Sequence, residues 1–248
     1  MIGLTQVQRG VAPTMSEKDR KVLLITGASS GIGAATARAA AVQGYRLALC
    51  ARSEDKLADL VDEVGSERAI ARRVDVTDYQ DQQRMVAATI EHFGRIDAVF
   101  ANAGTGGEPG GFSGAPVDSW KKMVDVNILG VAYTLRASLE EVKKRSGHVV
   151  LTGSVAGRRT LAGSMYSATK WAVSAIGYGL REEIKGSGVR VTLLEPGMVD
   201  TPFFDEPKPD ALKAEDIANA VLYALTQPQH VDVHELMVLP TPARDDAD

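Results

Sequence analysis

Residues 21–33, KVLLITGASSGIG, decide how this chain is read. Lys21 to Thr26 is a short apolar, branched run, which predicts a strand. Gly27 to Gly33 predicts a turn, and the alanine-rich segment Ile32 to Gln43 predicts a helix. The first glycine permits a tight turn. The later ones let backbone approach a ligand and let the helix sit close to the strand. Exposed N–H groups at a helix start favour an anion. Gly27, Ser29, Ser30, Gly31, Ile32 and Gly33 therefore form a candidate cradle for a pyrophosphate. A glycine-rich turn alone also fits a plain connection; its place between the first strand and the first helix favours the cradle. No Gly-Lys-Ser/Thr follows, which excludes a Walker phosphate loop.

The same alternation runs on through the chain. Strands are predicted at Arg46–Ala51, Ala69–Val76, Asp97–Asn102, His148–Gly153, Val189–Glu195 and Val231–Leu239. Helices are predicted at Ser53–Val64 with Ser53 as N-cap, at Asp78–Phe93 stopped by Gly94, and as one long helix over Pro116–Lys144. Two more are predicted at Ser164–Lys185 and Ala214–Thr226. Residues 104–114, with six glycines, and the Pro- and Asp-rich stretch Pro196–Pro209 read as loops. Short apolar strands separated by helices form a βαβ series. The expected fold is α/β, a single doubly wound Rossmann-type domain with a seven-stranded parallel sheet and helices on both faces. Residues 20–240 are assigned to it, residues 1–19 to a disordered leader in which Met15 is a second candidate start, and residues 241–248 to a frayed acidic tail.

The 248 residues are 44% hydrophobic and 24% charged, ordinary for a globular protein. A net charge of −4 gives no electrostatic reason to expect nucleic acid. Arg72-Arg73, Lys143-Lys144-Arg145 and Arg158-Arg159 read as solvated charges. No apolar run reaches membrane-spanning length, and Met1–Asp19 lacks a signal-peptide core, so a cytoplasmic protein is expected. Cys50 is the only cysteine and has apolar neighbours, which suits a buried structural thiol. His230 and His234 are spaced i, i+4 around a predicted strand, where that spacing does not converge, so no metal site is read.

Two places carry chemistry. Tyr166 and Lys170 stand one helical turn apart, with Ser154 shortly upstream. A phenol has an ordinary pKa of about 10. A fixed ammonium beside it favours the phenolate, so the pair can trade a proton near neutral pH. The second place is the end of the second strand. NAD-binding Rossmann domains carry an acidic residue there for the ribose 2′-hydroxyl. Here Ala51 stands in that position, followed by Arg52 and Ser53. Repulsion against a 2′-phosphate is gone, and a guanidinium is at hand to bind it. The expected cofactor is NADP(H), with NAD(H) as the alternative if Arg52 is only a solvated surface residue.

These motifs stand in a fixed order: the turn to Gly33, Asp75-Val76, Asn102-Ala103-Gly104, Asn127, Ser154, Tyr166 with Lys170, and Pro196-Gly197. In that order the chain resembles the short-chain dehydrogenase/reductase family in its single-domain form, over about residues 20 to 240. The resemblance implies a substrate-binding hydroxyl at Ser154, an acid or base at Tyr166, and a ribose-binding, pKa-lowering ammonium at Lys170. It implies a relay water held by Asn127. Asp75 and Val76 would flank the adenine. Asn102, Ala103 and Gly104 would line the cofactor cleft, with Pro196, Gly197, Val199 and Thr201 beside the cofactor and Thr201 on its carboxamide. Ala101 stands where the family often has a second Asn. Dimers or tetramers are implied, built through the long helices after the fourth and fifth strands. Val233 to Thr241 is similar to members that oxidise serine and other 3-hydroxy acids.

The substrate side is expected in loops 104–114, 155–163 and 196–209. Met198, Phe203 and Phe204 read either as an apolar pocket wall on a mobile lid or as packing onto a helix. Arg158 and Arg159 could meet an anionic substrate or be surface charges. The leading function is an NADP(H)-dependent alcohol dehydrogenase or carbonyl reductase. A cofactor-sensing protein without turnover is the second reading, and a nucleotide-sugar epimerase or dehydratase the third. The short chain after Pro196 disfavours the third.

Overall fold

The structure is a computed structural model that describes residues 20–241. The expected leader at 1–19 and all of the expected tail beyond Thr241 lie outside the described residues. The first element is β1 (Val22–Thr26), buried along its whole length, followed by α1 (Gly31–Val42) and β2 (Arg46–Ala51). Then come α2 (Glu54–Val64), β3 (Ala69–Arg73), α3 (Tyr79–Phe93) and β4 (Ala98–Ala101). A four-residue helix α4 (Gly111–Gly114) precedes α5 (Val117–Val124), a π-helical turn at Asp125–Leu129 and α6 (Gly130–Lys143). The remainder is β5 (His148–Thr152), a 3₁₀ turn at Val155–Gly157, α7 (Met165–Glu183), β6 (Arg190–Pro196), β7 (Val199–Asp200), β8 (Leu212–Lys213), α8 (Ala214–Thr226) and β9 (Glu235–Val238).

Seven strands form one sheet in the order β3-β2-β1-β4-β5-β6-β9, and every pairing is parallel. This is the expected α/β Rossmann-type arrangement. Alternate residues of β1 serve opposite layers, as a period of two requires. Leu23 and Ile25 pack with α1, α2 and α8 through Ala34, Ala37, Leu57, Ile217 and Val221. Leu24 faces the other layer, with Met85, Leu135, Val173 and Leu180 of α3, α6 and α7. The alanines of α1 bring its backbone close to the sheet and to α8. The chain departs in opposite directions from β1 and from β4, so a crevice opens where the carboxyl ends of these strands diverge.

Several boundaries differ from expectation. The helix expected over Pro116–Lys144 begins at Val117 and is interrupted by the π turn. The loop 104–114 contains α4. β3 ends at Arg73, and β9 begins only at Glu235. Ser53 occupies the N-cap of α2, yet its hydroxyl makes no capping bond. Cys50 is a buried thiol in the sheet, its pKa raised by desolvation. Among the described residues no helix is long and apolar enough to cross a membrane.

Candidate active site

The glycine turn lies at the crevice between β1 and β4. Gly27 and Gly31 have φ of +66° and +50°, conformations that side chains resist. Gly33 is demanded by contact instead, since a Cβ there would sit 2.3 Å from the Gly27 carbonyl oxygen. Ser30 is the N-cap of α1 but gives no side-chain capping bond, which leaves first-turn N–H groups for another acceptor. Asn102 ties the turn down: Nδ2 donates to the carbonyls of Thr26 at 3.1 Å and Gly27 at 3.3 Å, and Oδ1 accepts from the Thr152 hydroxyl at 3.2 Å. The Ala103 N–H donates to Thr26 Oγ1. Thr201 presses its Cβ and methyl towards Gly31, so the loop after β6 overhangs the turn. A glycine cradle, free helix N–H groups and an overhanging loop fit the pyrophosphate of a dinucleotide.

Arg52 and Ser53 are exposed just beyond the buried Ala51. Hydrogen bonds from the Thr77 N–H and hydroxyl hold the Asp75 carboxyl below the usual range, against its desolvation, and the Arg52 charge adds to the effect. Arg52 and Asp75 therefore share the outer end of the crevice. Val76 meets Gly130, where a Cβ would come within 2.9 Å of its side chain, and its carbonyl accepts from Gln82. Val76 is thereby packed against the start of α6.

Further in, α7 carries Tyr166 and Lys170 on one face, and Ser164 caps it by accepting from the Ser167 N–H. Lys170 Nζ lies 5.7 Å from the centroid of the Tyr166 ring and donates to the Thr152 carbonyl at 2.8 Å. Lys170 is only 4% exposed, and burial lowers its pKa to about 8. Ser154 caps the 3₁₀ turn, accepting from the Ala156 N–H at 3.1 Å and reaching the Pro196 carbonyl at 3.4 Å. The protein's own groups leave the Tyr166 phenol above its ordinary pKa. Burial raises the phenol above its ordinary value, and a hydrogen bond with Ser154 pulls the other way. The reason is that desolvation opposes both charged forms at once, the phenolate and its ammonium neighbour.

Asn127 sits in the π turn and is 1% exposed, so it is no polar residue on a wet face. Oδ1 accepts from the Thr105 N–H at 2.8 Å. Nδ2 donates to the Thr105 carbonyl at 2.9 Å and to the Thr169 hydroxyl at 3.0 Å. Both amide hydrogens are thus committed, and its side chain can hold a water only through Oδ1. A Cβ on Gly104 would stand 3.5 Å from Asn127 Oδ1 and 3.7 Å from Lys170 Nζ, so Gly104 separates the two by bare backbone.

The structure also gathers the loops expected on the substrate side. The Phe203 ring lies 5.8 Å from that of Tyr166 and 5.2 Å from that of Phe204. A Cβ on Gly106 would meet Phe203 at 3.1 Å, and one on Gly111 would meet Gly163 at 3.7 Å. Met198 is about half exposed, while Val199 is buried in the small β7–β8 pair. The Gly197 N–H donates to the Val238 carbonyl. Arg158 is a correction: it is no solvated charge. Its Nε lies 2.6 Å from Glu195, a carboxylate 1% exposed, and its Nη2 lies 3.1 Å from Glu235 and 3.0 Å from the Tyr178 hydroxyl. Sequence reasoning missed Glu195, although a carboxylate ending the apolar run Val191–Leu194 asks for a buried cation. It also missed Thr105, Thr152 and Thr169, whose hydrogen bonds order the site; no sequence pattern marks those pairings. Among the described residues no group of three or more His, Cys, Asp or Glu is placed to hold a metal.

Comparison with known proteins follows the same lines. The short chain dehydrogenase family profile matches residues 21–211. An uncharacterized oxidoreductase of Staphylococcus haemolyticus is 41% identical over 231 residues, 91% of this chain and all of the relative. An alcohol dehydrogenase from the archaeon Thermococcus sibiricus, complexed with 5-hydroxy-NADP, superposes with a TM-score of 0.85 at 36% identity, over 92% of this chain and all of the other. Serine dehydrogenase from Escherichia coli superposes with a TM-score of 0.81 at 32% identity, over 88% of this chain and 97% of the other.

Proposed function

The chain belongs to the short-chain dehydrogenase family, and on that premise we propose that it is an NADP(H)-dependent oxidoreductase acting on a carbonyl compound or the corresponding secondary alcohol, with Tyr166 as general acid and base. One observation carries the reading: the Tyr166 phenol, the Ser154 hydroxyl and the buried Lys170 ammonium converge beside a glycine cradle suited to a dinucleotide. The cofactor would be held by the Gly27–Gly33 turn, Asn102 to Gly104, and Thr201. When bound, it supplies or accepts the hydride, and its oxidised ring adds a positive charge near the phenol.

The protein's own groups handle the proton. In reduction, Tyr166 and Ser154 donate hydrogen bonds to the carbonyl oxygen, where negative charge develops as hydride reaches the carbon. Tyr166 then gives its proton to that oxygen, and the product is the alcohol. Lys170, still mainly protonated at pH 7, stands on the same helix face to stabilise the phenolate left behind. Asn127 fixes the loop after β4 against α7 and offers Oδ1 to a relay water. The preference for NADP rests on Ala51 in place of an acid and on exposed Arg52 beside it. The bound NADP analogue in the Thermococcus sibiricus enzyme agrees with that preference.

The test is NADPH oxidation with a panel of aldehydes and ketones. Tyr166→Phe should lower kcat by about 10²–10⁴-fold while NADPH still binds, as read by fluorescence titration. Arg52→Asp should move the preference from NADPH towards NADH. Equal turnover by Tyr166→Phe and the parent would exclude the proposed acid–base role.

A further inference from the structure

We propose that Phe203 determines substrate specificity and that the substrate is an uncharged carbonyl compound with an aromatic or bulky apolar substituent, rather than a hydroxy or oxo acid. The inference deepens the proposed function and rests on it. It runs against the likeness to serine dehydrogenase, since serine carries a carboxylate.

Three observations lead to it. The first is what flanks Tyr166. Phe203 reaches from the Tyr166 ring, 5.8 Å away, to the bare backbone of Gly106 across the crevice, and remains 43% exposed. An exposed ring beside the reacting hydroxyl offers an apolar face and edge to whatever lies there. Phe204 braces it at 5.2 Å with a nearly perpendicular ring.

The second is where the cations of the surrounding loops are held. Arg158 is four residues past Ser154, yet its guanidinium is held by the buried Glu195 and by Glu235 and lies over the Tyr178 ring. Pulling it towards a substrate carboxylate would leave Glu195 buried and unpaired, a costly arrangement. Lys208 places its ammonium 5.6 Å over the Phe204 ring. Arg159 is exposed and contributes its carbonyl to the Ser167 hydroxyl.

The third is the charge of the overhanging loop. Residues 196–210 carry Asp200, Asp205, Glu206 and Asp210 against Lys208 alone. Such a loop repels an incoming anion and tolerates a neutral molecule.

The experiment uses the full chain with NADPH and matched pairs: ethyl benzoylformate against benzoylformate, and ethyl pyruvate against pyruvate. The expected result is a kcat/KM at least tenfold higher for each ester than for its acid, and higher for the aryl ester than for the alkyl one. Phe203→Ala should lower kcat/KM for the aryl ester by about tenfold or more, with Phe203→Leu in between and the NADPH dissociation constant unchanged. The Leu variant guards against a collapse of the loop in the Ala variant. Preference for the acids, or an unchanged aryl-to-alkyl ratio in both variants, overturns this inference while leaving the oxidoreductase reading intact. Loss of acid turnover in Arg159→Ala, with ester turnover kept, would show an acid subsite and overturn it too. Turnover of neither member of any pair, nor of any other carbonyl, with NADPH bound, overturns the oxidoreductase reading itself and this inference with it.

Discussion

Lys170 shows how one residue can be costly to the fold and needed for the site. Its ordinary pKa is 10.5, and burial brings it to about 8. The unfolded chain therefore holds this proton more tightly than the folded one. The penalty is complete below pH 8 and fades as pH rises towards 10.5. A shift of that size corresponds to roughly 3 kcal/mol, while replacing the ammonium also takes the donor from the Thr152 carbonyl, at a cost of about 1 kcal/mol. Lys170→Met should therefore gain about 2 kcal/mol of stability at pH 7 while losing activity. Urea melts at pH 7 and pH 10 check this, because the gain should shrink at the higher pH. Tyr166 teaches the complementary lesson. Spacing alone placed it beside Lys170, but the direction of its pKa depended on burial, which spacing does not report.

At the scale of elements, helix periodicity continued smoothly through residues 116–144, and the chain does stay helical. The π turn at Asp125–Leu129 was invisible because five residues are too few to reveal the wider i→i+5 period against the α-helices on either side. It matters because it carries Asn127, whose bonds to Thr105 and Thr169 tie the loop after β4 to α7. The strand–turn–helix unit at residues 22–42 was legible in full, since glycine is the one residue that its contacts allow. Gly33→Ala puts a methyl 2.3 Å from the Gly27 carbonyl and 2.9 Å from Asn102 Nδ2, so α1 must move away from β1. Overpacking of this kind costs about 1–3 kcal/mol. The variant should melt earlier and bind NADPH at least about tenfold more weakly, as thermal melts and fluorescence titration would show.

The whole molecule answers to pH through its sheet. His148 lies between β4 and β6 in the register, 2% exposed, and its Nε2 meets Thr192 Oγ1 at 2.8 Å. The Thr192 hydroxyl gives its own hydrogen to the Val233 carbonyl, so Nε2 is the donor and buried Nδ1 has no partner. Burial, helped by the Arg190 and Lys21 charges, lowers this imidazole from 6.5 to about 3. Below pH 6.5 the unfolded chain takes up a proton that the folded one refuses, so stability falls as pH drops. Between pH 7 and pH 5 the loss from this group is about 2 kcal/mol. His148→Gln should flatten that slope, and denaturant melts of both proteins at the two pH values test it. The sequence by itself determined the parallel α/β fold, the glycine turn, and the order of Asn127, Ser154, Tyr166 and Lys170, because periodicity and glycine geometry are local properties of the chain. Only the tertiary structure decided that Arg158 belongs to Glu195, that Phe203 stands beside Tyr166, and that both site pKa values are set by burial. Those facts depend on which distant segments meet and how much water they exclude, and no local pattern records either.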